Sequence, residues 1–194
     1  MKELRREFVR KAFHALSLVY LAAYIRLGRA GAAGAIGAWL LLEGLLEVLR
    51  LRVPAFNDRL MRFFGGIHRE SEFSRASGIW WSALGSWAVI VLYGDETKAV
   101  TAALLYLAFG DGAAALVGKS WGRHTFELAR RRKSLEGSCA CLLVCLLCGI
   151  LAGLPCRALW AGALAATIVE LLPLPFNDNL WLPLVSGLIV RLLL

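Results

Sequence analysis

The chain has 194 residues, 59% of them hydrophobic and 19% charged, with a mean hydropathy of +0.64. An ordinary soluble domain carries about 45–50% apolar and about 25% charged residues. A fold of this size has too little interior to hide the excess, which excludes a water-soluble globule and a disordered chain and leaves a membrane protein. The charge is lopsided as well: 22 Lys+Arg stand against 14 Asp+Glu, a net +8.

Apolar runs near the length that crosses about 30 Å of hydrocarbon predict an all-α polytopic membrane protein with about seven transmembrane helices. They lie near 9–27, 30–49, 77–93, 98–118, 136–154, 157–173 and 179–194, forming one domain over residues 1–194. Alternating ten-residue strands are absent, which argues against an outer-membrane barrel. The first run follows a basic segment, as a signal peptide would. It has no small-residue cleavage site and contains His14, so it is expected to remain as a mature helix.

Basic residues orient the helices. The N-terminus, segment 50–76 and segment 119–135 together hold 17 Lys and Arg, whereas the alternate connections hold four: Arg26, Arg29, Lys98 and Arg157. The positive-inside rule therefore puts the N-terminus and both long basic loops in the cytoplasm, with the short loop 173–179 on the same side. Such loops serve topology and attract anionic headgroups, or they hold a phosphate.

The acidic residues help decide between these. Glu43, Glu47, Asp111, Glu136 and Glu170 are predicted at or within membrane depth, where a carboxylate marks a functional site or an ion pair. Glu43, Glu47 and Arg50 share one helix face, so an internal ion pair accounts for them readily. Asp111 is different. It lies between Gly110 and Gly112 in an apolar run with no basic residue within a turn, and small neighbours let a ligand approach. His14 alone reads as a packed hydrogen-bonding side chain.

Three motifs are set aside. Gly112–Ser120 ends in GlyLysSer, but five residues separate Gly112 from Gly118 where a P-loop has four. Cys139, Cys141, Cys145, Cys148 and Cys156 lack the paired spacing of a zinc site and read as small reduced packing residues. Gly31, Gly34 and Gly37 read as a close-packing helix stripe.

At 110–138 the residues become recognisable. GlyAspGlyAlaAlaAlaLeuValGlyLysSerTrpGlyArgHis, followed by ArgArgLysSerLeuGluGlySer, resembles the signature of the CTP-dependent lipid-alcohol kinases, the dolichol, phytol and yeast-type diacylglycerol kinase group. That group is distantly similar to the phosphatidate cytidylyltransferases. ArgLysAlaPheHis at 10–14 resembles the family's opening motif, Glu43–Arg50 and 69–78 fall where its basic–acidic motifs are expected, and 170–183 resembles its closing motif. The closing motif often carries two adjacent acids. Here Asn177 takes the first place, leaving Asp178 as the carboxylate.

The resemblance implies transfer of the γ-phosphate of CTP to a long-chain lipid alcohol of polyprenol, phytol or diacylglycerol type, with Mg²⁺. Asp111 and His14 are its candidate catalytic residues. Asp111, Glu136 and Asp178 are the candidate metal carboxylates, since Mg²⁺ takes oxygen ligands and keeps waters and phosphate oxygens beside them. Arg10, Lys119, Arg123, Lys133 and Ser134 would bind the triphosphate, with Gly118 and Gly122 keeping the loop close to it. Glu43, Glu170, Asn177 and Asn179 would support the site. Ser134 and Glu136 also read as an ordinary helix start, a cap followed by an acid in the first turn. The expected setting is a multi-pass prokaryotic cell-membrane protein with its site facing the cytoplasm, membrane lipids around it and no nucleic-acid partner. Two other readings stay open: a cytidylyltransferase making a CDP-lipid, and a small ion-coupled transporter or scaffold, which an inverted repeat would favour.

Overall fold

The computed structural model describes residues 16–63, 75–128 and 131–194. Among these residues there are seven helices and one short hairpin. Helix α1 (Leu16–Arg52) joins the first two predicted runs. It kinks where Gly28 takes φ +68°, a left-handed conformation that a side chain would resist. Helix α2 (Pro54–Phe63) is a short amphipathic piece of the basic loop. Helix α3 (Gly78–Tyr93) starts at Ser77, whose hydroxyl accepts from the Trp80 amide at 3.3 Å. Helix α4 (Thr97–Trp121) carries a π turn at Tyr106–Gly110 in its middle. A two-stranded antiparallel hairpin follows, β1 (Thr125–Leu128) against β2 (Arg131–Ser134), with Thr125 opposite Ser134 and Leu128 opposite Arg131. Helices α5 (Leu135–Leu151), α6 (Cys156–Leu171) and α7 (Asp178–Leu192) complete the chain.

The helical class is as predicted, and α3, α5, α6 and α7 are shorter than the predicted runs. Among the described residues, α1 and α4 are the helices long and apolar enough to cross a membrane by length and composition. α3, α5, α6 and α7 have 15 to 17 residues, about 23–26 Å of helix, and α3 and α5 are the apolar ones among them. The sequence reading counted turn and cap residues as span. It also missed α2 and the hairpin, which lie in segments set down as loop.

Helix α4 is the core. Val100, Ala103, Leu104, Tyr106 and Leu107 are fully buried, and α4 packs against α5 on one side and α7 on another. α7 in turn lies against α3 and α6. Its first turn can approach because α3 has no side chain at Gly85, where a Cβ would come 2.7 Å from the Asn179 carbonyl. The outer layer is α1, whose first half packs on α3 through Tyr20, Tyr24, Ala32 and Ile36. Trp87 Nε1 donates to the Ala33 carbonyl at 2.9 Å. Beyond Ile36, α1 turns Leu41, Leu45, Leu46 and Val48 outward, as a helix solvated by lipid does. Of the predicted glycine stripe only Gly37 packs closely, with Trp87 Nε1 3.1 Å from its absent Cβ; Gly34 has nothing within 4 Å.

Polar contacts mark the two ends. At one, Arg191 pairs with Asp95 at 2.6 Å and Tyr24 donates to the Gly94 carbonyl at 3.0 Å. At the other lie the hairpin, the last turn of α6 and the first turn of α7.

Candidate active site

Asp111 follows the π turn of α4 and is 8% exposed. The turn is wedged beside α5: a Cβ on Gly110 would come 2.6 Å from Cys145 Sγ, so glycine there is a packing requirement. Gly112 behaves differently. Among the described residues nothing lies within 4 Å of where its Cβ would be. A π turn adds a residue to the helical register and so re-aims the side chain that follows it. Here that side chain is a buried carboxylate.

Glu170 sits in the last turn of α6 and is 5% exposed. Lys133 reaches it from β2: its Nζ donates to Glu170 Oε1 and, at 2.6 Å, to the Glu170 main-chain carbonyl. Asp111 and Asp178 both act on the Glu170 carboxylate as like charges. Asp178 opens α7, and the preceding Asn177 caps that helix by accepting from the Asn179 amide at 3.0 Å. Asn179 is buried, and its Nδ2 donates to the Gly78 carbonyl at 3.1 Å, tying α7 to the start of α3. Side chains from α4, β2, α6 and α7 thus bear on one carboxylate at one end of the bundle, Glu170, which Lys133 engages directly.

Among the described residues no three His, Cys, Asp or Glu side chains come together tightly enough to hold a metal ion by themselves. Mg²⁺ asks for less, since one or two carboxylates suffice when waters and substrate phosphates supply the remaining ligands. Asp111 and Asp178 would be the carboxylates to meet that requirement, since both bear as negative charges on Glu170, which Lys133 engages. Glu136 stands elsewhere. Its carboxylate accepts from the His124 amide at 3.0 Å and lies 2.8 Å from His124 Nδ1, which fastens the base of the hairpin to the first turn of α5. It is not among the charges that bear on Glu170.

The expected phosphate loop divides in two. Ser134 is the N-cap of α5, accepting from the Gly137 amide at 3.1 Å, and is 5% exposed. Gly118 and Gly122 let α4 press against it: Cβ atoms there would come 3.0 and 2.9 Å from Ser134 Oγ. The helix-start reading is therefore what the structure displays for Ser134, and the two glycines serve helix contact. Lys119 and Arg123 are exposed beside this junction. His14 and Arg10 lie outside the described residues.

The other supporting carboxylate, Glu43, is half-buried on α1 with its Oε2 lacking a hydrogen-bond partner. Its neighbour Glu47 makes the predicted ion pair, with Arg50 at 2.6 Å, and also accepts from the Ser77 amide at 3.1 Å. Arg50 is 1% exposed and donates to the Arg75 carbonyl at 2.7 Å, so this cluster binds α1 to the start of α3. Sequence reasoning did not find the Lys133–Glu170 pair. Both residues stood in recognised motifs, but 37 residues separate them and no spacing rule joins a strand to a helix end.

CTP-dependent diacylglycerol kinase 1 of Schizosaccharomyces pombe is 32% identical over 147 residues, 74% of this chain and 61% of that protein. The Saccharomyces cerevisiae protein of the same name is 36% identical over 101 residues, 52% of this chain and 33% of its own length. Phytol kinase of Synechocystis is 50% identical over 40 residues, 21% of this chain and 17% of that protein. The chain therefore spans less than two thirds of the length of these curated relatives. No family model and no solved structure matches it. Similarity to the named kinases, across 74% of this chain for the first, supports the CTP-dependent lipid kinase family.

Proposed function

We propose that the chain transfers the γ-phosphate of CTP to the hydroxyl of a membrane lipid. The acceptor is a diacylglycerol, a phytol-like alcohol or a polyprenol, and the site faces the cytoplasm of a prokaryotic membrane that the helices cross about seven times. One observation carries the reading: Lys133 of a basic hairpin engages Glu170, a carboxylate on which Asp111 and Asp178 also bear. The names of the relatives support CTP as donor and a lipid as acceptor.

In this site Lys133, with Lys119 and Arg123, compensates triphosphate charge. Asp111 and Asp178 hold Mg²⁺, which when bound neutralises the charge that builds on the β- and γ-phosphates. The acceptor hydroxyl enters laterally between helices and loses its proton to Asp111 or His14 as its oxygen bonds the γ-phosphorus. The bond from that phosphorus to the β-bridging oxygen breaks, and CDP leaves. Asp111 is buried enough to exclude bulk water as a competing acceptor.

The test is incubation of purified protein with γ-labelled CTP and a panel of diacylglycerol, phytol and polyprenol, with phosphatidate run in parallel. A labelled lipid phosphate with one CDP released per lipid is expected. Release of pyrophosphate with a CDP-lipid would overturn kinase activity in favour of cytidylyl transfer.

A further inference from the structure

We propose that Glu170 is a positioning residue for the nucleotide: it fixes the Lys133 ammonium at two points and leaves one N–H for a phosphate oxygen. The proposal rests on the assignment of Lys133 to the triphosphate. Lys133 leaves an exposed hairpin, yet its side chain is 16% exposed and that of Glu170 only 6%. An ammonium has three donors. Glu170 takes two of them, one on its carboxylate and one on its own main-chain carbonyl, and among the described residues the third has no partner. A lysine held by one contact keeps much of its freedom, because its four-carbon stem turns easily. Two contacts to one residue at a helix end remove it.

Stability alone explains the arrangement poorly. A buried ion pair gives little over apolar side chains of similar volume, because both charges must shed water. Here the carboxylate also lies in the field of Asp111 and Asp178, which works against keeping a third acid there. The same placement is useful for binding. The carboxylates proposed to hold the cation bear on the same Glu170 that fixes the ammonium, so one phosphate group can meet both positive charges. The charge on Glu170 matters as well as its shape, since a charge-assisted contact holds the ammonium more firmly than a neutral one.

The test compares Glu170→Gln, Lys133→Met and the exchanged pair Lys133→Glu with Glu170→Lys, reading melting temperature in detergent and the KM for CTP against kcat. Glu170→Gln keeps both acceptors but not the charge. It is expected to raise the KM for CTP about tenfold or more, as loss of a charge-assisted contact does, with kcat within about threefold and melting near that of the parent. The exchanged pair should recover the melting temperature lost in Lys133→Glu while using CTP as poorly as Lys133→Met. An unchanged KM in Glu170→Gln, or CTP use that returns with stability in the exchanged pair, would overturn the role of Glu170 alone. Normal CTP use by Lys133→Met would overturn the nucleotide assignment itself. If Glu170→Gln does not fold, Glu170→Asp serves instead: it keeps the charge one methylene back, and an unchanged KM there counts equally against the proposal.

Discussion

Ser134 offers a sharp separation of structure from catalysis, because two substitutions that both delete its hydroxyl differ in what they do to a helix start. Its Oγ accepts from the Gly137 amide at 3.1 Å and is pressed by Gly118 and Gly122 of α4. If capping is its role, Ser134→Ala orphans that amide and costs about 1 kcal/mol, whereas Ser134→Gly costs only a few tenths. For a chain of this length, about 1 kcal/mol corresponds to about 2–4 °C in melting temperature. The assay is thermal denaturation in detergent, together with initial rates against CTP at saturating lipid. The alanine variant should melt a few degrees low and the glycine variant close to the parent, both with an unchanged KM for CTP. If the KM rises equally in both, out of proportion to stability, the hydroxyl touches the nucleotide and the capping argument is refuted.

Asp111→Asn keeps shape but removes charge, and should abolish transfer without unfolding the protein; retention of more than about a tenth of the activity, about 1.4 kcal/mol of barrier, would reject Asp111 as a metal ligand. Glu136→Gln should leave the Mg²⁺ dependence of the rate unchanged and lower the melting temperature slightly, since its carboxylate serves His124 and the hairpin base; a shifted Mg²⁺ dependence would return Glu136 to the metal. Gly137→Ala should destabilise by about 1–3 kcal/mol, because its Cβ would come 2.7 Å from the Ala114 carbonyl; a parent-like melting curve would show that α4 and α5 can part there. Cysteine labelling should find residues 50–76 and 119–135 in the cytoplasm and 94–97 outside, and an external 119–135 would exclude a cytoplasmic CTP site.

The helices were legible because their hydropathy is nearly continuous and their ends carry local signals. Ser77, Ser134 and Asn177 each cap the helix that follows. The kink at Gly28 was legible only as a gap between two runs, since a sequence does not state whether a glycine ends a helix or bends it. The ends of the predicted runs were overread for the opposite reason. An apolar cap residue such as Leu172 extends a hydropathy window without extending the helix. The hairpin was hidden by its shortness and charge, because each strand has four residues and β2 is three basic residues and a serine, too little for an alternating pattern to stand out.

For the site, the sequence supplied the parts and the fold supplied their grouping. Asp111 stood out because an acid among glycines in an apolar run has few structural uses, and it is buried. Asp178 was legible through its closing motif, and it too acts on Glu170. Glu136 was expected in the metal set as a carboxylate of the same block as Lys133 and Ser134. At a helix start, however, residues two apart point about 200° apart, so closeness in sequence separates them in space. Its carboxylate turns to His124, while the carboxylate that joins Lys133 comes from another helix altogether. Lys133 itself was legible as a cation beside a phosphate block, but not as one sunk into the bundle. That follows from register in the hairpin: Lys133 faces Phe126 across the ladder, so its stem leaves the strand toward the helices while Arg132 beside it stays exposed and donates to Thr125 at 3.3 Å. One residue of register therefore decides which of the clustered basic side chains meets Glu170, and that choice exists only once the strands have paired.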